Sequence, residues 1–175
     1  MNEKKFVKLL KNQLKQILSA YSVESGENLL YKLVVDADGN LYPRDWKNPK
    51  RGTYAFQTDI LIKKNDIPLV VIEVKVGGFS THDVITYSAK AVKHKEIYPY
   101  LRYGLVVGNF PIITNKFFTH NVGLDFAVAI EDATDFSSIF KVVKRQVRDA
   151  EQLRKILLEK NRTRVFSSEL KTKFF

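Results

Sequence analysis

Two acids and a lysine, spaced as on paired β-strands, are the residues of this sequence best suited to chemistry. Asp59 precedes a short apolar run, and Glu73 and Lys75 stand two positions apart within the longer run at 69–76. Residues two apart in a strand project from the same face, so Glu73 and Lys75 lie side by side. A hairpin between the two runs returns Asp59 to the neighbouring strand. We therefore expect three charged groups to converge on one spot.

The surroundings of Glu73 make its charge costly. Positions 70, 71, 72, 74 and 76 are all valine or isoleucine, so the strand is apolar on both faces, as in a covered central strand. A charge in such a strand must be paired or bound to a metal ion. Asp59 and Glu73 supply hard oxygen ligands for Mg²⁺, which takes only one or two carboxylates. Such an ion would acidify a water for phosphodiester hydrolysis, while Lys75 stabilises the developing charge or orients that water.

The hydrophobic pattern predicts the elements that position these residues. β-branched runs at 54–63 and 69–76 flank a polar segment at 64–68, which predicts an antiparallel hairpin. Gly77 and Gly78 end the second strand, and Ser80 or Thr81 caps a helix over about 81–98. Apolar runs at 103–107 and 126–130 predict two more strands of the same sheet, joined by a segment whose 114–123 stretch is a loop.

Further elements flank this core. Apolar side chains recur at helical intervals over 3–19 and 136–158, which predicts a helix at each end. Residues 29–36 indicate a strand, followed by the turn signal Asp38-Gly39 and a short strand. Pro43 and Pro49 interrupt a basic surface loop at 42–52. The order predicts an α/β fold with a mixed central sheet flanked by helices, as one domain over 1–160 before a basic tail at 161–175.

Composition narrows the function classes. The chain has 175 residues, and its 29 Lys+Arg against 19 Asp+Glu give a formal net charge of +10, which favours a polyanionic partner such as nucleic acid. The absence of cysteine excludes disulfides, a thiolate nucleophile and cysteine-ligated metals, and it fits a cytoplasmic protein. No run approaches the roughly 18 apolar residues that cross a bilayer, so we expect no membrane association. The histidines, His82, His94 and His120, have no mutual ligand spacing.

At Asp59 and Glu73-Val74-Lys75 the sequence resembles the PD-(D/E)XK nuclease superfamily, whose pattern is an acid, a variable hairpin and then acid-any-lysine. The resemblance covers residues 54–108, roughly a third of the chain. It implies a restriction-endonuclease-like core and DNA cleavage with Mg²⁺, for which we expect Mn²⁺ to substitute. Asp59, Glu73 and Lys75 would be the catalytic residues, with the Val74 backbone carbonyl as a further metal ligand. Thr58 departs from the nominal pattern, which has proline there.

The resemblance also suggests supporting residues. Some members add an acid near the first core helix, for which Glu24 and Glu27 are both candidates. Members often place a polar or basic residue on the helix after the motif, which suggests Lys90 as a phosphate contact; the Gln-x-x-x-Tyr of the exonuclease branch is absent. Four basic residues of the surface loop either form a solvated connection or contact the DNA backbone: Arg44, Lys47, Lys50 and Arg51.

These features predict a divalent-metal-dependent DNA endonuclease similar to type II restriction enzymes. Because one site cuts one strand, we expect a homodimer. The alternatives are a Holliday-junction-resolving or repair nuclease and, from another class, a DNA-binding subunit with the nuclease fold that hydrolyses nothing. The tail adds basic charge and ends in a pair suited to docking, Phe174 and Phe175; its basic residues are Lys160, Arg162, Arg164, Lys171 and Lys173.

Overall fold

A mixed five-stranded β-sheet organises the computed structural model, which describes residues 1–132, 134–159 and 162–172. The helices are α1 (Glu3–Ile17), α2 (Thr81–Ile97), α3 (Asn115–His120) and α4 (Ser137–Leu158). The strands are β1 (Ser22–Glu24), β2 (Asn28–Leu30), β3 (Val34–Val35), β4 (Leu41–Tyr42), β5 (Ala55–Gln57), β6 (Ile60–Lys64), β7 (Ile67–Val76), β8 (Arg102–Gly108) and β9 (Phe126–Ile130).

The central sheet has the strand order β1-β6-β7-β8-β9. Strands β1, β6 and β7 pair antiparallel, whereas β7, β8 and β9 pair parallel. The parallel step from β7 to β8 passes through α2, as a crossover connection requires. The predicted α/β class, with a mixed central sheet flanked by helices, is confirmed.

Helices cover both faces of β7, which is why that strand is apolar on both faces apart from Glu73 and Lys75. Val70 and Ile72 belong to the core cluster that contains residues of α1 and α4. Val71 belongs to the second cluster, which contains residues of α2 and α3. Because side chains alternate along a strand, Glu73 and Lys75 lie on the same face as Val71, toward α2.

The hairpin between β6 and β7 is tighter than predicted. Asn65 and Asp66 alone connect the strands, and both have positive φ, 49° and 63°, as a two-residue hairpin turn with matching twist demands. Pro68 lies within β7 opposite Lys63, next to a register shift that accommodates a residue without an N–H. The predicted antiparallel pairing is confirmed, and the predicted five-residue connection is wrong.

The sequence predicts one long strand before the basic loop and another after it. Both predictions are wrong, because each stretch divides into two strands. The stretch 54–63 divides into β5, which pairs with β2, and β6, which pairs with β1 and β7. The break falls at Thr58, whose N–H and hydroxyl both donate to the Glu27 carbonyl, at 2.9 and 3.1 Å. The stretch 29–36 divides likewise into β2 and β3, and β3 pairs with β4 around the predicted turn at Asp38-Gly39.

Two glycines turn the chain from β7 into α2. Gly77 and Gly78 have φ of 77° and 129°, which residues with a Cβ rarely adopt. Ser80 then caps α2, and Asp83 completes a capping box by accepting from the Ser80 N–H at 2.7 Å. The predicted strand end and helix cap are confirmed.

Three smaller observations complete the fold. The predicted loop at 114–123 is wrong because it contains α3, which packs Phe117 into the α2 side of the core. The tail residues 162–172 are exposed and have no regular structure, while Lys160, Lys173, Phe174 and Phe175 lie outside the described residues. Within the described ranges, no helix combines the length and apolarity needed to span a membrane.

Gly104→Ala is expected to destabilise the protein by about 1–3 kcal/mol, because a small-to-large change in a packed core forces its neighbours to shift. A Cβ at position 104 of β8 would lie only 2.2 Å from the Phe126 ring of β9. Urea denaturation measures the loss. The matched control is Gly104→Ala combined with Phe126→Leu, which removes the opposing ring. If the second change recovers none of the loss, the clash is not its cause.

Candidate active site

Asp59 meets β7 at the predicted site. It stands one residue before β6, whose first residue, Ile60, pairs with Ile72. The Asp59 Oδ2 atom accepts a hydrogen bond from the Val74 N–H at 2.8 Å. The half-buried Asp59 therefore lies beside the peptide that links Glu73 to Lys75, and its negative charge helps to raise the pKa of Glu73.

Glu73 is buried, and its negative charge is partly compensated by neighbouring groups. Its side chain is 2% exposed, and Oε1 accepts from the Tyr103 hydroxyl at 2.5 Å and from Lys90 Nζ at 3.3 Å. Burial raises the pKa of Glu73 from 4.5 to about 7, against the opposing effect of the Lys90 charge. A carboxyl group whose pKa is raised toward neutral pH in this way is a common feature of functional sites.

Lys75 shares a face with Glu73 but pairs with other acids. Its Nζ lies 3.4 Å from Asp83 Oδ1 at the start of α2 and 3.6 Å from Glu3 Oε2 at the start of α1. Burial lowers the pKa of Lys75, but a hydrogen bond with Tyr87 and the charges of Glu3 and Asp83 outweigh it, so the pKa is raised overall. The ammonium group is thus held in its charged form at the end of β7.

The ammonium group that contacts Glu73 is that of Lys90. Besides this ion pair, Lys90 Nζ lies 5.4 Å from the centre of the Tyr87 ring and 5.8 Å from that of Phe56. The predicted phosphate contact is therefore bound to an acid of the site itself. Tyr87 lies between the two lysines, since Lys75 Nζ is 5.8 Å from the centre of the same ring.

Neither predicted additional acid joins the pair. Glu24 bonds to Lys15 and Ser22, and Glu27 lies 3.7 Å from Lys63. Among the described residues, no three aspartates, glutamates or histidines form a group that could hold a metal, so neither acid completes a trio with Asp59 and Glu73. The structure brings Glu3 toward the site instead, through its contact with Lys75. The sequence signal that could have indicated Glu3 is its position as an acid in the first turn of α1.

Sequence reasoning also missed Tyr103 as a partner of Glu73. Tyr103 is fully buried in the α2 side of the core. The parallel register places it beside Val71, two residues before Leu105, the partner of Glu73. Only that register, which the sequence does not specify, aligns its hydroxyl with the carboxylate.

The donor set fits a small divalent cation. The hydrogen bonds of the described residues use Oδ2 of Asp59 and Oε1 of Glu73, which leaves one oxygen on each carboxylate as a possible ligand. Two carboxylates, with the Val74 carbonyl between Glu73 and Lys75, match the number of protein ligands that Mg²⁺ usually takes, with waters completing its shell.

The remaining predicted DNA contacts lie in the segment 31–54, here called the arm. It connects β2 to β5 and contains the β3–β4 hairpin and the basic loop. Among the described residues, none of its loop cations forms an ion pair with a carboxylate. These cations are all exposed: Arg44, Lys47, Lys50 and Arg51.

Stability of the metal-free protein is expected to depend on pH through Glu73. Its pKa of about 7 in the native state exceeds 4.5, the ordinary value, so the native state binds this proton more tightly. The resulting stabilisation is complete below pH 4.5 and is lost as the pH rises through about 7; the shift corresponds to about 3 kcal/mol. Urea denaturation in EDTA, for wild type and Glu73→Gln, measures the difference. Parallel stability profiles for the two proteins would contradict the assignment.

Comparison with known proteins adds no family: no protein-family model and no curated protein matches this chain significantly.

Proposed function

We propose that this protein is a divalent-metal-dependent DNA endonuclease with a PD-(D/E)XK-type site on a restriction-endonuclease-like fold. The observation that carries the proposal is the 2.8 Å hydrogen bond from Val74 to Asp59, which joins the acid before β6 to the Glu73–Lys75 stretch of β7. At this end of the hairpin, the ammonium groups of Lys75 and Lys90 lie 5.8 and 5.4 Å from the centre of the Tyr87 ring, and Lys90 pairs with Glu73.

Each residue has a role in this proposal. Asp59, Glu73 and the Val74 carbonyl hold the cation, which when bound supplies an acidified water and neutralises charge on the scissile phosphate. Lys75 offers a fixed positive charge to the phosphate oxygens as negative charge develops on them. Asp83, Glu3 and Tyr87 orient its ammonium group, since they are its contacts in the structure.

The charge distribution supports nucleic acid as the substrate. Besides the four exposed cations of the basic loop, exposed lysines and an arginine line the two helices on the other face of the sheet. Contacts between such groups and phosphates supply most sequence-independent affinity for DNA. The exposed cations of α1 are Lys4, Lys5, Lys8 and Lys15, and those of α4 are Lys141, Lys144, Arg148 and Lys155.

Conversion of supercoiled plasmid tests the proposal. Purified protein with Mg²⁺ or Mn²⁺ is expected to produce nicked circles, and EDTA is expected to prevent it. A linear product would indicate two sites acting together, which a homodimer supplies. Sequencing the ends distinguishes the specificities, since a recurrent sequence indicates a restriction enzyme and breaks confined to branched DNA indicate a resolving nuclease. If plasmid and branched DNA both stay intact under every metal, the enzymatic proposal is refuted.

The second candidate is a DNA-binding subunit that does not hydrolyse. The observation in its favour is the ion pair between Lys90 and Glu73, which compensates the buried carboxylate without a metal. This candidate predicts salt-sensitive DNA binding that is unchanged by EDTA, with no nicking.

A further inference from the structure

The basic loop of the arm presents a large aromatic side chain to solvent. Trp46 is 46% exposed, and it is the sole tryptophan of the chain. Lys47 Nζ lies 5.5 Å from the centre of its ring. The loop at 43–52 has four basic residues and one acid, so the exposed ring lies in a segment of net positive charge. An aromatic ring among cations is the combination that binds single-stranded nucleic acid, with stacked bases and neutralised phosphates.

The arm is ordered by its own hydrogen bonds. Asp36 accepts from the N–H groups of Asp38 and Asn40, at 3.0 and 2.9 Å, and from the Tyr42 hydroxyl at 3.1 Å. These bonds close the β3–β4 hairpin. The guanidinium group of Arg44 lies 5.2 Å from the centre of the Tyr42 ring. The hairpin that leads into the loop is therefore formed before any partner binds, which lowers the entropy cost of binding.

The base of the arm lies beside the candidate active site. The Tyr31 N–H donates to the Tyr54 carbonyl at 2.9 Å, and the Tyr31 ring stacks on Phe56 with centroids 3.9 Å apart. Phe56 contacts Lys90, which pairs with Glu73. After Phe56, the chain reaches Asp59 within three residues. A nucleic-acid strand bound at the candidate active site would thus lie next to the base of the arm.

We propose that Trp46 stacks on an unpaired base, so that the substrate of the candidate site is nucleic acid with single-stranded nucleotides. This inference rests on the proposed function and specifies its substrate class. In a duplex, the faces of the bases are covered by their neighbours, so a tryptophan ring has no base to stack on; unpaired bases expose those faces. The four exposed cations of the loop favour a phosphate-bearing partner for the ring over an apolar one.

Fluorescence tests the inference directly, because tryptophan emission reports on Trp46 alone. In EDTA at low salt, an oligothymidylate of about 20 nucleotides is expected to quench the emission strongly, and a blunt, fully paired duplex of equal charge is expected to quench it little. With fluorescein-labelled oligothymidylate, anisotropy is expected to show about tenfold weaker binding for Trp46→Ala and partial recovery for Trp46→Phe. Duplex binding should change less than about twofold. The matched control, Phe118→Ala, removes an exposed aromatic outside the arm and should leave both affinities unchanged.

Several outcomes would overturn the inference. One is saturable binding of oligothymidylate with unchanged emission, and another is equal affinity of wild type and Trp46→Ala. A blue shift with phosphatidylglycerol vesicles, without quenching by oligothymidylate, would assign the ring to a membrane surface instead. If duplex binding and metal-dependent nicking persist in these cases, the substrate class alone is wrong. If the protein binds neither DNA, the proposed function fails with it.

Discussion

Glu73→Gln and Asp59→Asn are each expected to reduce plasmid nicking by about a thousandfold, because each replaces an anionic metal ligand with a neutral amide of the same shape. Asp59 and Glu73 lie at the open end of the β6–β7 hairpin, and among the described residues no third acid joins them that could replace either one as a ligand. Nicking rates with saturating Mn²⁺ measure the effect, and DNA affinity in EDTA should remain within about threefold of wild type.

The control for these variants is Glu96→Gln. Glu96 is an exposed acid at the end of α2 that pairs with Lys93, and it has no described contact with the site. It should nick plasmid at the wild-type rate. Circular dichroism and urea denaturation show whether the site variants fold. A folded Glu73→Gln protein that retains more than about a tenth of the nicking rate would exclude Glu73 as an essential ligand.

Removing the charge of each lysine of the site is expected to change a different property, the nicking rate for one and the Mn²⁺ affinity for the other. Lys75→Met should lower nicking by about a hundredfold or more while leaving Mn²⁺ affinity nearly unchanged, since Lys75 contacts Glu3 and Asp83 and not the carboxylate pair. Lys90→Met should increase Mn²⁺ affinity by about tenfold, because Lys90 occupies Glu73 Oε1 and repels an incoming cation. Electron paramagnetic resonance of free Mn²⁺, at a pH well above 7, measures both affinities without DNA.

Lys93→Met is the matched control for the second effect. Lys93 lies on the same helix as Lys90, but it is exposed and bonds to Glu96. It should leave Mn²⁺ affinity unaltered. Equal affinity in the Lys90 and Lys93 variants would show that the Lys90–Glu73 ion pair does not compete with the metal. Tighter Mn²⁺ binding in Lys75→Met than in Lys90→Met, with normal folding, would reverse the roles assigned to the two residues.

Local pattern was sufficient for the part of the site that lies within one hairpin. The alternation along β7 predicted that Glu73 and Lys75 share a face, and the polar connection predicted that Asp59 returns beside them. Gly77, Gly78 and Ser80 likewise predicted the end of β7 and the start of α2. These are short-range features, in which strand period, turn chemistry and capping act over a few residues.

The pairing of charges in the site depends on long-range packing and was not predictable. Lys90 reaches Glu73 across 17 positions and the Tyr103 hydroxyl reaches it across 30, so both depend on how α2 and β8 pack on β7. The division of the predicted strand at Thr58 has the same origin. Its bonds to Glu27 involve a residue 31 positions away, and nothing in the alternation of residues 54–63 marks the change of partner strand.

The buried histidine behind the site has a consequence for acid tolerance. His94 is fully buried, its Nδ1 lies 2.8 Å from the Leu30 carbonyl, and burial lowers its pKa from 6.5 to about 4. Its stabilising effect is present above pH 6.5 and is lost as the solution is acidified toward pH 4, whereas that of Glu73 grows over much the same interval. The pH dependences of the two stabilising effects oppose each other. A melting temperature that is nearly constant between pH 4.5 and 6.5 would therefore conceal two strongly titrating groups.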